Sequence, residues 1–455
     1  MTRWPSRRAA RAALVLAVLA VLPTCHALVV ASTGLRPPSV AIPPDAGVHA
    51  WTRVRAGLRL VYLEGSPEAI GAAHARLLRE RMVADETEIQ SEYERHVPWW
   101  AVRTAIEDFS RVRYRHIAEG IPDARRREIA AEALAFKPDP YASHMPTYQR
   151  MVFLYSLYDI ALPLEHSPLV GCTSFALAPR DTADGHVLFG RAFDFEAGEV
   201  FDRDKAVFLV REEGAVPFAS VAWPGFVGVV TGMNAEGVVM VVHGARGRRP
   251  VTDGIPVAFS LREALSHAHD TREAVQVLAA QRVLVSHIVF VADASGHFAV
   301  VERAPAEPAF VRETEESTAV TNHFEGPLAS DPRNLRVRDT TTTLARRARA
   351  DERLGEITPG SATPASALAI LRDHGCAAGP CALGDRRAID ALIATHGIIA
   401  DATAKTLWVS AGPRLSGPFV RLDLHDLLSA KHDPDSDRAP ETMPADPTVA
   451  GREAP

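Results

Sequence analysis

The sequence predicts an α+β protein, a four-layer αββα sandwich preceded by a mainly helical segment. Three observations carry this. From Cys172 onward, short apolar runs such as Val187–Gly190, Ala206–Val210 and Val227–Thr231 are separated by turn signals. These runs are continuous rather than alternating, which suits strands covered on both faces. Helical patterns fall between them at Ser260–Ala280, Thr342–Glu356 and Pro364–Asp373, and two sheets packed face to face leave helices only the outer layers.

The elements follow in order. Arg3, Arg7, Arg8 and Arg11 precede the apolar run Ala12–Leu22, so residues 1–31 read as a secretory signal with cleavage after Ala27 or Ala31. Leu22-Pro23-Thr24-Cys25 departs from a lipoprotein signal at Thr24. An uncleaved membrane anchor over residues 12–31 is the alternative, although Pro23 and His26 interrupt it. The chain is therefore expected to be exported, periplasmic or extracellular, with membrane attachment as the variant. Residues 32–47 are a proline-rich linker. Val54–Glu64 alternates like a strand, and Ser66-Pro67-Glu68 opens a helix with Ser66 as its cap. In that helix Gly71 permits close packing, and His74 reads as a core histidine. Residues 75–165 space apolar side chains by three and four, with breaks at Pro98, Pro122 and Pro138–Pro140. The segment 48–171 is thus mainly helical, and 172–428 is the sheet-rich domain. Within it, Gly232–Val242 and Ile288–Glu302 each read as strand–turn–strand. Residues 429–455 are polar and proline-rich and are expected to be disordered.

Composition narrows the function. A chain of 455 residues with 47% hydrophobic and 23% charged residues is globular. A net charge of −6 with scattered arginines gives no footprint for nucleic acid. No His-Glu-x-x-His, phosphate loop or Gly-x-Ser-x-Gly elbow occurs. His267 and His269 are two apart in a helical pattern, so they point to different faces and make poor joint metal ligands. No metal or cofactor is expected.

Four cysteines remain to be placed. Cys25 leaves with a cleaved signal. Cys376 and Cys381 flank a loop short enough for a local disulfide; a zinc pair is the alternative, but no second pair lies nearby. Cys172 is the odd thiol. It stands in Gly171-Cys172-Thr173-Ser174-Phe175, ahead of Arg191-Ala192-Phe193-Asp194, with the turn Asp184-Gly185 between them. A hairpin of that length folds Arg191 and Asp194 back beside the thiol. A guanidinium there eases ionisation of a thiol whose free pKa is about 8.5.

This block resembles the acyl-coenzyme A:6-aminopenicillanic acid acyltransferase family of the cysteine N-terminal nucleophile hydrolases, with choloylglycine hydrolases as relatives. Gly65–His74, Thr321-Asn322-His323-Phe324 and Thr406–Pro413 resemble further family signatures, so the resemblance runs from about Gly65 to Leu424. It implies the Ntn-hydrolase fold and a cut between Gly171 and Cys172, after which the α-amino group serves as base. It implies that Arg191 lowers the thiol pKa, Asp194 orients the amine and Asn322 holds the oxyanion. Arg346, in Thr343-Leu344-Ala345-Arg346, aligns with a Ser-x-x-Arg element of the relatives. The preceding segment would stay bound as a propeptide subunit. Choloylglycine relatives carry a second oxyanion asparagine, but here Val242-His243-Gly244 stands in its place, which argues against bile-salt cleavage. The reading is a self-processing cysteine amidohydrolase acting on linear amides, such as N-acyl amino acids, through an acyl-thioester on Cys172. Acyl transfer to an amine is the alternative, as is an uncleaved inactive relative that binds a small molecule in the same cleft. Export favours hydrolysis, because a coenzyme A donor is chiefly cytoplasmic.

Overall fold

A computed structural model describes residues 24–161, 170–195, 198–435 and 438–449. The signal run 1–23 lies outside the described residues. No helix among them is long and apolar enough to cross a membrane.

The larger sheet has nine strands: β1 (Trp51–Arg55), β2 (Leu58–Gly65), β5 (Ala206–Glu212), β6 (Phe218–Ala222), β7 (Thr231–Asn234), β8 (Val239–Gly244), β9 (His287–Ala292), β10 (Phe298–Arg303) and β11 (Phe310–Thr314), in that spatial order. The second has seven, ordered β12-β3-β4-β13-β14-β15-β16: β12 (Thr318–Val320), β3 (Val170–Leu177), β4 (Leu188–Phe195), β13 (Ala394–Asp401), β14 (Thr406–Ser410), β15 (Phe419–Asp423) and β16 (Thr442–Met443). All pairings are antiparallel except β2 with β5, which run parallel.

Three apolar layers make the sandwich. Leu60, Val207, Val241 and Phe290 of the first sheet meet Ala176, Phe189, Ile398 and Val409 of the second. Ile70 and Leu78 of α1 (Pro67–His96), with Phe259 and Leu265 from the stretch after β8, cover Phe208, Met240 and Val289 on the outer face of the first sheet. Ala350, Leu368 and Leu371 cover Phe175, Leu188 and Ile399 on the outer face of the second. Strands buried on both faces explain why their sequences are continuous apolar runs.

The upstream helices are α1, α2 (Trp100–Arg113), α3 (Asp123–Ala135), α4 (Thr147–Tyr155) and α5 (Leu157–Ala161), broken at the prolines that the sequence marks. Ser66 caps α1 through the Ala69 N–H at 3.3 Å. Gly71 lies against the α3 backbone: a Cβ there would stand 2.1 Å from the Glu128 carbonyl oxygen, so α1 and α3 meet only because that position is glycine. His74 is a core histidine whose Nε2 accepts the Gly225 N–H at 2.9 Å. Downstream come α6 (Val200–Arg203), α7 (Val257–His267), α8 (Thr271–Ala280), α9 (Pro332–Thr340), α10 (Thr343–Gly355), α11 (Pro364–Leu371) and α12 (Leu424–Leu427).

Four expectations need correction. The upstream segment is more than a helical cover, because β1 and β2 extend the larger sheet and β2 pairs directly with β5. The helical run expected over Ser260–Ala280 divides in two, since Asp270 caps a fresh helix through the Glu273 N–H. The strand expected at Val227–Thr231 begins only at Thr231. The tail expected to be disordered from 429 onward carries α12's last contacts and β16, and Asp446 accepts the His374 ring at 2.9 Å. Cys376 and Cys381 form the disulfide.

Buried charges stitch the upstream segment to the rest. Arg125 on α3 pairs with Glu128, with Glu212 of β5 and, at 3.3 Å, with Glu263 of α7. Arg262 reaches Glu128 at 2.9 Å and Glu212 at 3.3 Å. Such a lattice has to be complete, since removing one partner strands a buried charge. Beside it, burial pushes the Glu132 carboxyl up to about 8, while burial and then Arg262 hold His74 down at about 3. Glu132 therefore stabilises the fold fully below its unfolded value of about 4.3, and loses that contribution as pH rises toward 8. Asp159, also buried and raised to about 8, adds the same slope. The urea midpoint of the wild type should fall between about pH 6 and 8, and Glu132→Gln should make that fall shallower.

Candidate active site

The β3–β4 hairpin sets the geometry. Its register pairs Gly171 with Asp194, Cys172 with Phe193 and Ser174 with Arg191. Side chains alternate, so Cys172, Ser174, Arg191 and Phe193 share the face that carries Ala176 and Phe189 into the core between the sheets. Gly171 and Asp194 share the other face. A Cβ at position 171 would lie 2.9 Å from Asp194 Oδ2 and 3.3 Å from its Cβ, so Asp194 occupies the space that a side chain would need. The hairpin turns at Gly185, whose φ of 74° suits glycine.

Three other elements converge on Cys172. Strand β12 pairs with β3 and delivers Asn322 just past its end. The Cys172 N–H donates to Asn322 Oδ1 at 2.8 Å, and the Cys172 carbonyl accepts from Arg346 Nη1 at 2.5 Å. Arg346 also donates to Thr173 Oγ1 at 3.0 Å and to Asn322 Oδ1 at 2.9 Å. It rises from α10 one turn beyond Thr343, whose Oγ1 accepts the Asn322 backbone N–H at 2.9 Å. Asn322 Nδ2 donates to the Gly244 carbonyl at the end of β8, at 2.9 Å. Cys172, Arg191, Asp194, Asn322 and Arg346, far apart in sequence, thus form one buried cluster around the Gly171–Cys172 peptide bond.

Charge and burial compete at the thiol. Burial pushes the Cys172 pKa up, and this outweighs the downward pull of Arg191 and Arg346; Asp194 adds a smaller upward push. The expectation that a nearby guanidinium leaves an easily ionised thiol is therefore overturned for the intact chain, where desolvation wins. Arg191 itself is fully buried and lies 4.9 Å from the Phe193 ring. Burial, followed by the two arginines, holds His243 well below the ordinary histidine range, so it stays neutral beside the Cys172 backbone. His396 is likewise neutral, mainly through burial; it stacks on Phe193 with centroids 5.0 Å apart and bonds Thr231 Oγ1 at 2.9 Å.

Sequence reasoning named all five clustered residues and flagged His243. It gave no role to Thr343, Thr173 or His396. The Thr343-x-x-Arg346 spacing held the signal for Thr343, because residues three apart share a helix face. The role expected for the Asn322 amide differs from what the intact chain displays: its oxygen meets Cys172, and its nitrogen is committed to Gly244.

Phe193, against which Arg191 packs, belongs to a run of aromatic rings with Phe195, Phe201 and Trp223, and two cavities are lined in part by that run. One of about 90 Å³ is shared between upstream side chains (Met82, Met151, Leu154) and downstream ones (Trp223, Phe226). The other, about 970 Å³, is lined by Phe195, Asp202, Ala394, Gly412 and Arg414. Among the described residues, three groups bring potential metal ligands within 4.8 Å, and none includes a residue of this cluster.

Residues 181–374 match the family model described as acyl-coenzyme A:6-aminopenicillanic acid acyl-transferase, the family that the motifs resemble. The matched span starts beyond Cys172 and takes in Arg191, Asp194, Asn322 and Arg346. An uncharacterized protein of Archaeoglobus fulgidus is 29% identical over 150 residues, 32% of this chain, and the match spans only 25% of that relative's length. Similar solved structures include a Caenorhabditis elegans N-acylethanolamine-hydrolyzing acid amidase ortholog (16% identity, 51% of this chain and 93% of that one, TM-score 0.39). Penicillin V acylase from Agrobacterium tumefaciens is 19% identical over 55% of this chain and 91% of that one, with a TM-score of 0.35. A conjugated bile acid hydrolase variant from Clostridium perfringens is 12% identical over 60% and 97%, with a TM-score of 0.40.

Removing the guanidinium should raise the thiol pKa further. At a fixed pH near 8, Arg191→Met should slow alkylation of Cys172 by a small neutral reagent roughly tenfold, the effect of about one pKa unit. An unchanged rate-against-pH profile would show that Arg191 does not govern the thiol.

Proposed function

We propose that this protein is a self-processing cysteine amidohydrolase, exported, which cleaves linear C–N amide bonds of the N-acyl amino acid kind. The observation that carries the reading is the convergence of Asn322, Arg346 and Asp194 on the two residues of the Gly171–Cys172 peptide bond. Ionisable groups gathered this deeply around one thiol, with its pKa perturbed by burial and by specific charged partners, mark a functional-site candidate.

The chemistry follows in two stages. In the intact chain, the Cys172 sulfur attacks the Gly171 carbonyl carbon. The C–S bond forms, the C–N bond breaks, and the departing nitrogen takes a proton to become the α-amine. Water then hydrolyses the thioester, which leaves a carboxylate at Gly171 and a free thiol. The new amine has an ordinary pKa of about 7.7 to 8 and stands beside Asn322 Oδ1, the atom that held it as an amide N–H. That amine takes the thiol proton and the sulfur attacks the substrate carbonyl. The substrate amine leaves with a proton, and water releases the acyl group as an acid. Arg191 and Arg346 offset the accumulating negative charge in a deeply buried site. Acyl transfer to an amine uses the same thioester and differs only in what resolves it.

The upstream segment, sharing a sheet and an ionic lattice with the rest, is expected to remain bound after the cut. Edman sequencing and intact mass of the purified protein test the proposal. A second chain beginning Cys-Thr-Ser-Phe is expected in the wild type, with a single uncut chain in Cys172→Ala. An uncut wild type, and no acyl adduct on Cys172 after incubation with an activated acyl ester, would leave a binding protein as the better reading.

A further inference from the structure

Helix α2 is built inside out. Among the described residues twelve large apolar side chains are exposed, and five of them, Trp99, Trp100, Val102, Phe109 and Val112, fall in this one helix and its cap. Val102, Ala105, Phe109 and Val112 recur at three- and four-residue spacing, so they form a single stripe, and all four are exposed. Trp99 is 74% exposed and Phe109 57%. The polar side turns inward instead. Arg111 is the one fully buried residue of the helix; its Nη2 donates to the His144 carbonyl at 3.1 Å, and Glu107 approaches the His144 ring at 3.4 Å. A helix that serves only its own core presents the opposite arrangement.

A second observation identifies what covers the stripe. The apolar run Ala12–Leu22 is followed directly by a helical stretch over residues 24–32, and that stretch is fastened to α2: His26 Nδ1 lies 2.9 Å from Asp108 Oδ1. Thr33 anchors the same connection by accepting from Gln149 of α4 at 3.0 Å. The described chain therefore begins, just after that apolar run in sequence, beside the helix with the most exposed apolar face. Paired tryptophans at the head of an amphipathic helix suit the boundary between lipid headgroups and acyl chains. The exposed Arg115 can keep its charge in the headgroup layer, whereas Arg103 and Arg113 are held to the Val97 and Pro250 carbonyls.

We infer that α2 docks on a lipid bilayer surface, with Val102, Phe109 and the Trp99–Trp100 pair seated at the headgroup–acyl boundary. This surface is independent of the Cys172 site and of the function proposed for it.

Tryptophan quenching by lipids brominated on their acyl chains tests it with the full chain on phosphatidylcholine–phosphatidylglycerol vesicles. The wild type should lose at least a quarter of its emission. In a Trp4→Phe background, Trp99→Phe/Trp100→Phe should lose most of that quenchable fraction, because the remaining Trp51, Trp223 and Trp408 lie elsewhere in the fold. Val102→Asp/Phe109→Asp should cut quenching at least threefold with an unchanged far-UV spectrum and thermal midpoint. Quenching that is equal in all three proteins would overturn the inference. So would an absence of quenching together with a concentration-dependent dimer that the aspartate variant abolishes, which would make a second copy the occupant of the stripe.

Discussion

The two-sided grip of the Asn322 side chain is the interaction on which the site depends. Its oxygen takes one hydrogen from the Cys172 backbone and another from Arg346, and its nitrogen reaches across to Gly244 in the opposite sheet. One amide thereby fixes the distance between the sheets at the point where the thiol enters their interface. Every other placement follows from it. Arg346 can bridge Cys172 and Thr173 only because Asn322 holds its second nitrogen, and Thr343 serves by fixing the Asn322 backbone. Buried networks of this kind are stiff when complete and costly when broken.

Around that node, desolvation and charge oppose each other. Two guanidiniums within the cluster favour a thiolate, yet the site is so thoroughly enclosed that the neutral thiol wins in the intact chain. The same enclosure keeps His243 and His396 uncharged, leaving the arginines as the fixed positive charges. Cutting the chain before Cys172 would change this balance at a single atom, by turning an amide nitrogen into a basic amine.

Much of the architecture was legible in the sequence because it is recorded in patterns of short range. Strands sealed on both faces leave continuous apolar runs, and Ser66-Pro67 writes a helix start in side-chain chemistry. The hairpin that joins Cys172 to Arg191 and Asp194 is equally local. What escaped was long-range. Nothing near Arg59 announces that β2 will pair with β5, and nothing in the polar tail announces that Met443 will add a last strand to β15. The thiol's ionisation was misjudged for the same reason: Arg191 is visible nineteen residues away, whereas burial depends on the whole fold. His243 stood out by position, but its neutrality comes from burial and then from arginines on other elements.

The parallel pairing of β2 with β5 has a consequence for how the molecule persists in time. In the intact chain one polypeptide supplies both strands, so an opened molecule can close again by an intramolecular route. Were the chain cut before Cys172 as proposed, strands β1 and β2 and helices α1 to α5 would belong to one polypeptide, and the remaining strands of the same sheet to another. Refolding would become second order, and a dissociated molecule would have to find its partner by diffusion in competition with aggregation of the exposed sheet edge. Durability of such a two-chain form would be governed by how slowly the chains part rather than by any equilibrium between folded and unfolded states. The buried lattice of Arg125, Arg262 and their glutamates, which joins the two sides, would add to that kinetic barrier.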